Sequence, residues 1–423
     1  PVEPIVYYLD PGTPEPIRSA LLEGASWWNE AFEAIGYKDA FQLKILPDGA
    51  DPLDVRYNVI QWVHRSTRGW SYGSSITDPR TGEIIKGHVS LGSLRIRQDF
   101  LIAQALSNKP FKEQDDNYIA MLELALARIR QLSAHEIGHT LGFTHNFAAS
   151  TNDRSSVMDY PHPQFKIVNG EIDFSQAYDT GIGEWDKTTV AYSYSEFAEG
   201  TDEKQALNNI LEEASREGLR FISDQDARPL GGAHPLAHLW DNGKSASVEL
   251  ENVLKIREIA IDNFSIDNIR KNEPNTILED VFAPLYFFHR YQTEAVAKLV
   301  GGLDYNYALK GDGQETVETV DKESQVEALN ALIKTLDANV IAIPEDKLSL
   351  FPPRAIGYPR TRESFKGRTG VTFDALSAPE TAADMTLGIL LHPERASRLI
   401  QQKSIDTQQI GLEYVLDQLV QNT

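Results

Sequence analysis

The stretch His135-Glu136-Ile137-Gly138-His139-Thr140-Leu141-Gly142-Phe143-Thr144-His145 constrains this chain more than any other. It reads H-E-x-x-H-x-x-G-x-x-H, three imidazoles and one carboxylate at fixed spacing. On an α-helix His135 and His139 lie one turn apart on the same face, so both rings reach a single ion. Glu136 is rotated by about 100° from His135, at 3.6 residues per turn, and sits beside that ion without binding it. Gly142 ends the helix, because a residue without Cβ enters the left-handed conformation at little cost. The chain then turns and brings back His145. Three neutral nitrogen ligands with a fourth position open describe a catalytic zinc site, not a closed structural one. A bare H-E-x-x-H arises by accident far more readily than this longer pattern, which uses three of the chain's ten histidines.

The flanking sequence predicts a mixed α+β fold. Ile5 to Leu9, Phe41 to Leu46 and Val55 to His64 read as strands. Ile17, Leu21, Trp28, Phe32 and Ile35 recur at helical spacing between the first two. Arg68 to Ile76 and Glu83 to Gly92 read as a hairpin around the turn-rich Thr77-Asp78-Pro79-Arg80-Thr81-Gly82. Arg95 to Leu106 is a further helix. The motif-bearing helix begins near Asn117, with Leu122, Leu126, Ile129, Ser133 and Ile137 turned away from His135 and His139. Asp186 can cap a short helix over Lys187 to Tyr194. Beyond residue 200 the periodicity is helical, over Glu203–Glu217, Ala246–Phe264, Leu285–Val300, Ser324–Ala342 and Arg395–Leu419. No internal repeat and no glycine-aspartate nonapeptides interrupt it.

Thirteen residues past His145 stands Met158, one of three methionines, within Ser156-Val157-Met158-Asp159-Tyr160. With the long histidine motif, this resembles the metzincin clan of zinc endopeptidases. The S-x-M-x-Y form is similar to that of astacins and serralysins. The long helical tail, with Trp240-Asp241-Asn242-Gly243 and His289-Arg290-Tyr291-Gln292, resembles the bacterial met-zincin family in particular. The resemblance implies a zincin-like catalytic module over residues 1–200, a twisted mixed sheet plus the active-site helix, with residues 201–423 packed on it as a mostly α-helical half. It implies one zinc ion on His135, His139 and His145, with Glu136 as general base. It places Met158 beneath the histidines as an apolar floor. It also gives Tyr160 two roles, metal ligand at rest and then oxyanion stabiliser. An extended polypeptide would pair with the last strand before the helix, here Gly87, His88, Val89, Ser90, Leu91 and Gly92, taken as the sheet edge. The location implied is secreted, periplasmic or in the cell envelope. A contrasting reading keeps the zinc in a peptide-binding or assembly module with little turnover. A third is hydrolysis of a non-peptide amide. The intact Glu136 favours an enzyme, since holding zinc does not need that carboxylate.

Composition narrows the partners. The 423 residues suggest two or three domains. Acidic residues outnumber basic ones 62 to 40, a net charge of −22 that disfavours nucleic acid and anionic membranes. No apolar run is long enough to span a membrane. There is no cysteine, hence no disulfide and no thiolate ligand. The chain opens at Pro1 directly into a strand, so we expect a processed form or a fragment. The sequence assigns no oligomeric state.

Weaker candidates have plainer readings beside them. His234 and His238 are a nominal second metal pair without a third ligand. Asp224 and Asp226 could bind calcium, but a lone D-x-D without further spaced oxygens is weak support for such a site. His162 is either a loop histidine facing solvent or a lining of the cleft. Arg354, Arg360, Arg362 and Arg368 read as surface charge.

Overall fold

The computed structural model describes residues 3–65 and 69–423. Strand β1 (Ile5–Leu9) leads into helices α1 (Ile17–Ser26) and α2 (Trp28–Ala34), followed by β2 (Phe41–Ile45) and β3 (Asn58–Val63). The hairpin is β4 (Tyr72–Thr77) and β5 (Ile84–Gly92); the Arg68 at which we expected it to begin lies outside the described residues. Helix α3 (Leu94–Leu106) precedes the motif-bearing α4 (Ile119–Thr140). After a small hairpin, β6 (Lys166–Val168) with β7 (Glu171–Asp173), come α5 (Glu184–Tyr194), α6 (Glu203–Arg216) and the single turn α7 (Asp224–Ala227). Next are α8 (Ala246–Asn263), α9 (Leu278–Tyr286) and α10 (Arg290–Ala297), then a short pair of strands and helices over Lys322–Lys334, Ser377–Leu390, Pro393–Ile405 and Leu412–Asn422.

The five-stranded sheet has the order β2-β1-β3-β5-β4. Its strands run parallel except β4, which pairs antiparallel with β5 and forms one edge. This corrects the expectation that Gly87, His88, Val89, Ser90 and Leu91 form the edge. Those residues lie in β5, with Val89 paired to Ile60 on one side and to Gly73 on the other. Their backbone is therefore committed to two neighbours. A hairpin places its first strand outermost when the second is the one that joins the sheet, and sequence alone does not say which does.

One apolar core lies between the sheet, α1, α2 and α4, and contains Tyr7, Leu21, Trp28, Ile60, Leu91, Ile129 and Ile137. A second joins α3 and the start of α4 (Met121, Leu124) to Phe165, Tyr178 and the helices beyond residue 200, through Val253, Phe264, Phe282 and Tyr286. Three long helices expected from periodicity are divided. The chain turns at Phe287 and Phe288, between α9 and α10. Asp337 caps a new short helix by accepting from the Asn339 N–H, and Gly411 opens the last one. In each case apolar periodicity runs across a break that only a cap or turn residue marks. Among the described residues no helix is long and apolar enough to cross a membrane.

Candidate metal centre

Helix α4 carries His135 and His139 at its C-terminal end, and its termination delivers the third histidine. The Phe143 N–H donates to the Gly138 carbonyl at 3.0 Å and the Gly142 N–H to the His139 carbonyl at 3.1 Å. This double closure needs a left-handed residue at Gly142, whose φ is +100°. Beyond it, His145 folds back until the ligand atoms of His135, His139 and His145 all lie within 4.8 Å of one another, the one such cluster among the described residues.

Each imidazole is oriented by a hydrogen bond at Nδ1. His135 Nδ1 lies 2.7 Å from the Val157 carbonyl and His139 Nδ1 lies 2.9 Å from the Phe143 carbonyl. His145 Nδ1 lies 2.8 Å from Asp224 Oδ2. Carbonyl oxygens only accept, so the first two Nδ1 atoms carry the proton and Nε2 is a bare lone pair. Burial pushes the Asp224 carboxyl up, but hydrogen bonds from His145 and Arg228 outweigh it and hold it below its ordinary value. Asp224 is thus an anion and fixes the same tautomer on His145. Burial also pushes all three imidazoles down, His135 most strongly with help from the other two rings. The centre holds three neutral imidazoles with their lone pairs converging.

His139 Nε2 and His145 Nε2 are 3.1 Å apart. Two lone pairs at that distance repel, and no proton is left to join them. A cation between them resolves this. Two nitrogens at about 2.0–2.1 Å from one tetrahedral zinc lie roughly 3.3 Å apart. The donor set, its protonation and its spacing fit zinc.

Glu136 is buried, 5% exposed, under the edge strand. A Cβ on Gly73 of β4 would lie 1.9 Å from the Glu136 carbonyl oxygen, so only glycine lets the strand approach this closely. Burial pushes the Glu136 carboxyl up to about 7, against the pull of the Arg128 charge and a hydrogen bond from the Gly73 N–H.

Met158 is buried below α4, where a Cβ on Gly138 would come within 2.2 Å of its sulfur and 2.7 Å of Trp28 Cζ2. The segment is held by Asp186, which accepts from the Ser156 hydroxyl at 2.6 Å and from the Val157 and Gly183 N–H groups at 2.8 and 2.9 Å. Val157 in turn orients His135. Tyr160 lies against the histidines, its ring centroid 5.1 Å from that of His135 and 4.7 Å from that of His145. Its hydroxyl is 3.4 Å from Arg228 Nη2.

Several of these supports escaped the sequence reading. Asp224, which the sequence offers only as half of a calcium pair, holds His145 and Arg228, while Asp226 accepts from the Tyr305 and Tyr307 hydroxyls. Arg228, Gly73 and Gln131, which donates to the Val157 carbonyl at 3.0 Å, went unnoticed. Asn146 brings Asp224 into place: it donates to the Arg220 carbonyl and accepts from the Ile222 N–H, while the Phe147 N–H reaches the Ile222 carbonyl. His234 uses both ring nitrogens on backbone groups, and His238 lies beside Glu294. Arg354 is half-buried and paired with Glu279 and Asp280, not a free surface charge. His162 and Arg362 line a cavity described below.

A mixed sheet above a helix that presents H-E-x-x-H, with a third histidine beyond a glycine turn, defines the class of zinc-peptidase-like metal proteins. A family model described as Met-zincin matches residues 117–423, from the approach to α4 through to the last residue. The chain belongs to the Met-zincin family. Among curated proteins and solved structures nothing matches it.

Proposed function

We propose that the protein is a zinc-dependent endopeptidase acting on extended polypeptide. The observation that carries this is the combination at the end of α4: three Nε2 lone pairs converge beside a buried carboxylate under an exposed sheet edge. His135, His139 and His145 would hold the metal, which supplies Lewis acidity and lowers the pKa of water towards about 7.

The protein's own groups do the rest. Glu136, buried and short of counter-charge, accepts a proton from the attacking water and returns it to the departing amine. Tyr160, with Arg228 at its hydroxyl, stands where an oxygen that gains negative charge needs a donor. Met158 serves as the apolar floor beneath the rings. Among the described residues strand β4 has one side of its backbone without a partner strand, and Tyr72 and Ile76 are exposed. An extended peptide can add to it antiparallel. This moves the expected substrate contact from Gly87–Leu91 to β4. We place residues 1–200 as the catalytic module and 201–423 as a helical region packed against it. The support is the shared core and the contacts of Asp224, Arg228 and Trp240 with the centre. A secreted or envelope location remains part of this proposal.

The test is cleavage of an unfolded protein by zinc-reconstituted enzyme, read by mass spectrometry. The proposal expects internal cuts that a chelator abolishes and zinc restores; stoichiometric zinc without any cut overturns it.

A further inference from the structure

A cavity of about 790 Å³ opens beside the segment that follows Tyr160. Pro161 and His162, the two residues after Tyr160, line it. So does Trp240, whose ring stacks on Tyr160 at 5.3 Å and lies tilted against Tyr291 at 4.6 Å. Gly69 and Trp70, which lead into β4, line it as well. A peptide antiparallel to β4 runs from the Thr77 end towards Tyr72 and passes Gly73, the residue against Glu136. Whatever follows the cleaved bond then heads towards Trp70 and this cavity.

The charges around the cavity are unevenly matched. Its carboxylates already have partners: Asp280 accepts from Arg354 at 2.8 and 3.0 Å, Glu363 pairs with Arg97 at 2.6 Å, and Glu294 lies 3.2 Å from His238. Among its cations, Arg95 forms a two-pronged pair with the buried Asp99. Arg290 is different. Its guanidinium donates to the Tyr291 hydroxyl at 2.7 Å and lies 4.3 Å from the centre of that ring. No carboxylate stands within 4 Å of it among the described residues. The His162 ring lies tilted against Phe288, with centroids 4.6 Å apart.

We propose that this cavity receives the substrate residue just C-terminal to the cleaved bond and selects a carboxylate there, with Arg290 as its partner. Guanidinium and carboxylate match geometrically, and a partly enclosed cavity screens the pair less than open water does. The inference rests on the endopeptidase reading for its position relative to the cut. The carboxylate can come from an Asp or Glu side chain or from the peptide's own C-terminus.

Two measurements decide it. In the first, zinc-loaded protein digests a mixed peptide library prepared with free and with amidated C-termini. The expected result is Asp or Glu about tenfold enriched over Asn or Gln after the cut, in both sets. Enrichment confined to free termini near the cut assigns the pocket to the chain end instead. Arg290→Gln should lose the preference while still cutting other sequences, and Arg290→Lys should keep part of it. Absence of an acidic preference, or one unchanged in Arg290→Gln, overturns the pocket. The second needs no turnover: fluorescence anisotropy of a peptide pair differing only as Glu or Gln, bound to zinc-loaded Glu136→Gln protein. Tighter Glu binding that disappears with Arg290→Gln supports the pocket even if nothing is ever cleaved, in which case the endopeptidase reading falls alone. Equal binding of the two peptides overturns the pocket.

Discussion

Replacing Asp224 by alanine should weaken zinc binding without unfolding the protein. Asp224 accepts from His145 Nδ1 at 2.8 Å and so fixes both the tautomer and the ring orientation of the third ligand. A hydrogen bond to a charged group contributes about 1.5–3 kcal/mol. The Asp224 side chain is 39% exposed, so water replaces part of the lost contact. About 1–2 kcal/mol remains, or roughly a tenfold loss of zinc affinity, at the low end of what outer supports of metal ligands contribute. Asp224→Asn, which keeps an acceptor but loses the charge, should fall between alanine and wild type. The assay is competition for zinc against a chromophoric chelator at pH 7.5, with metal-free melting as the control for general damage. Wild-type affinity within twofold in Asp224→Ala would refute the argument. So would a loss of affinity matched by an equal loss of metal-free stability.

Other consequences are equally concrete. Glu136→Gln should bind zinc as wild type does and lose several orders of magnitude in kcat, measured on any peptide that wild type cleaves. Gly138→Ala places a methyl group 2.2 Å from the Met158 sulfur, and we expect a loss of about 1–3 kcal/mol in denaturant unfolding; an unchanged midpoint would show that the floor moves freely. Burial pushes the His289 imidazole down to about 3, so below its ordinary value near 6.5 the unfolded chain takes up a proton that the folded one refuses. The stability from this group is therefore full above about pH 6.5 and drains away as pH falls towards 3. His289→Phe should flatten the decline between pH 7 and 4 by on the order of 3 kcal/mol, read from denaturant midpoints at each pH. Residues 1–200 expressed alone would lack Asp224 and most of the second core, and should be insoluble or melt without cooperativity; a soluble, active fragment would separate the two halves.

What the sequence disclosed follows from how local each feature is. The histidine spacing, the glycine turn and the placement of Met158 are encoded within 24 consecutive residues, and helical geometry converts that spacing directly into positions. The hairpin was legible from alternation and turn residues, but its order in the sheet was not, because either strand could have joined β3. Gly73 looked like any strand glycine until α4 lay against it. Asp224 is 79 residues from His145, and nothing local distinguishes it from a surface aspartate. Its role depends on Asn146 drawing the 220–224 segment alongside. Arg290 likewise appeared as part of a short polar run; its lack of a carboxylate partner is a property of the packed cavity and not of its neighbours in sequence.

The central claim is that three histidines and Glu136 form a working hydrolytic centre. The most direct measurement is time-resolved mass spectrometry of an unfolded protein substrate incubated with zinc-loaded wild type, chelator-treated wild type and zinc-loaded Glu136→Gln. The account predicts new internal termini with the first sample alone. Zinc bound at one equivalent with no cleavage in any sample, or equal cleavage by Glu136→Gln, would contradict it.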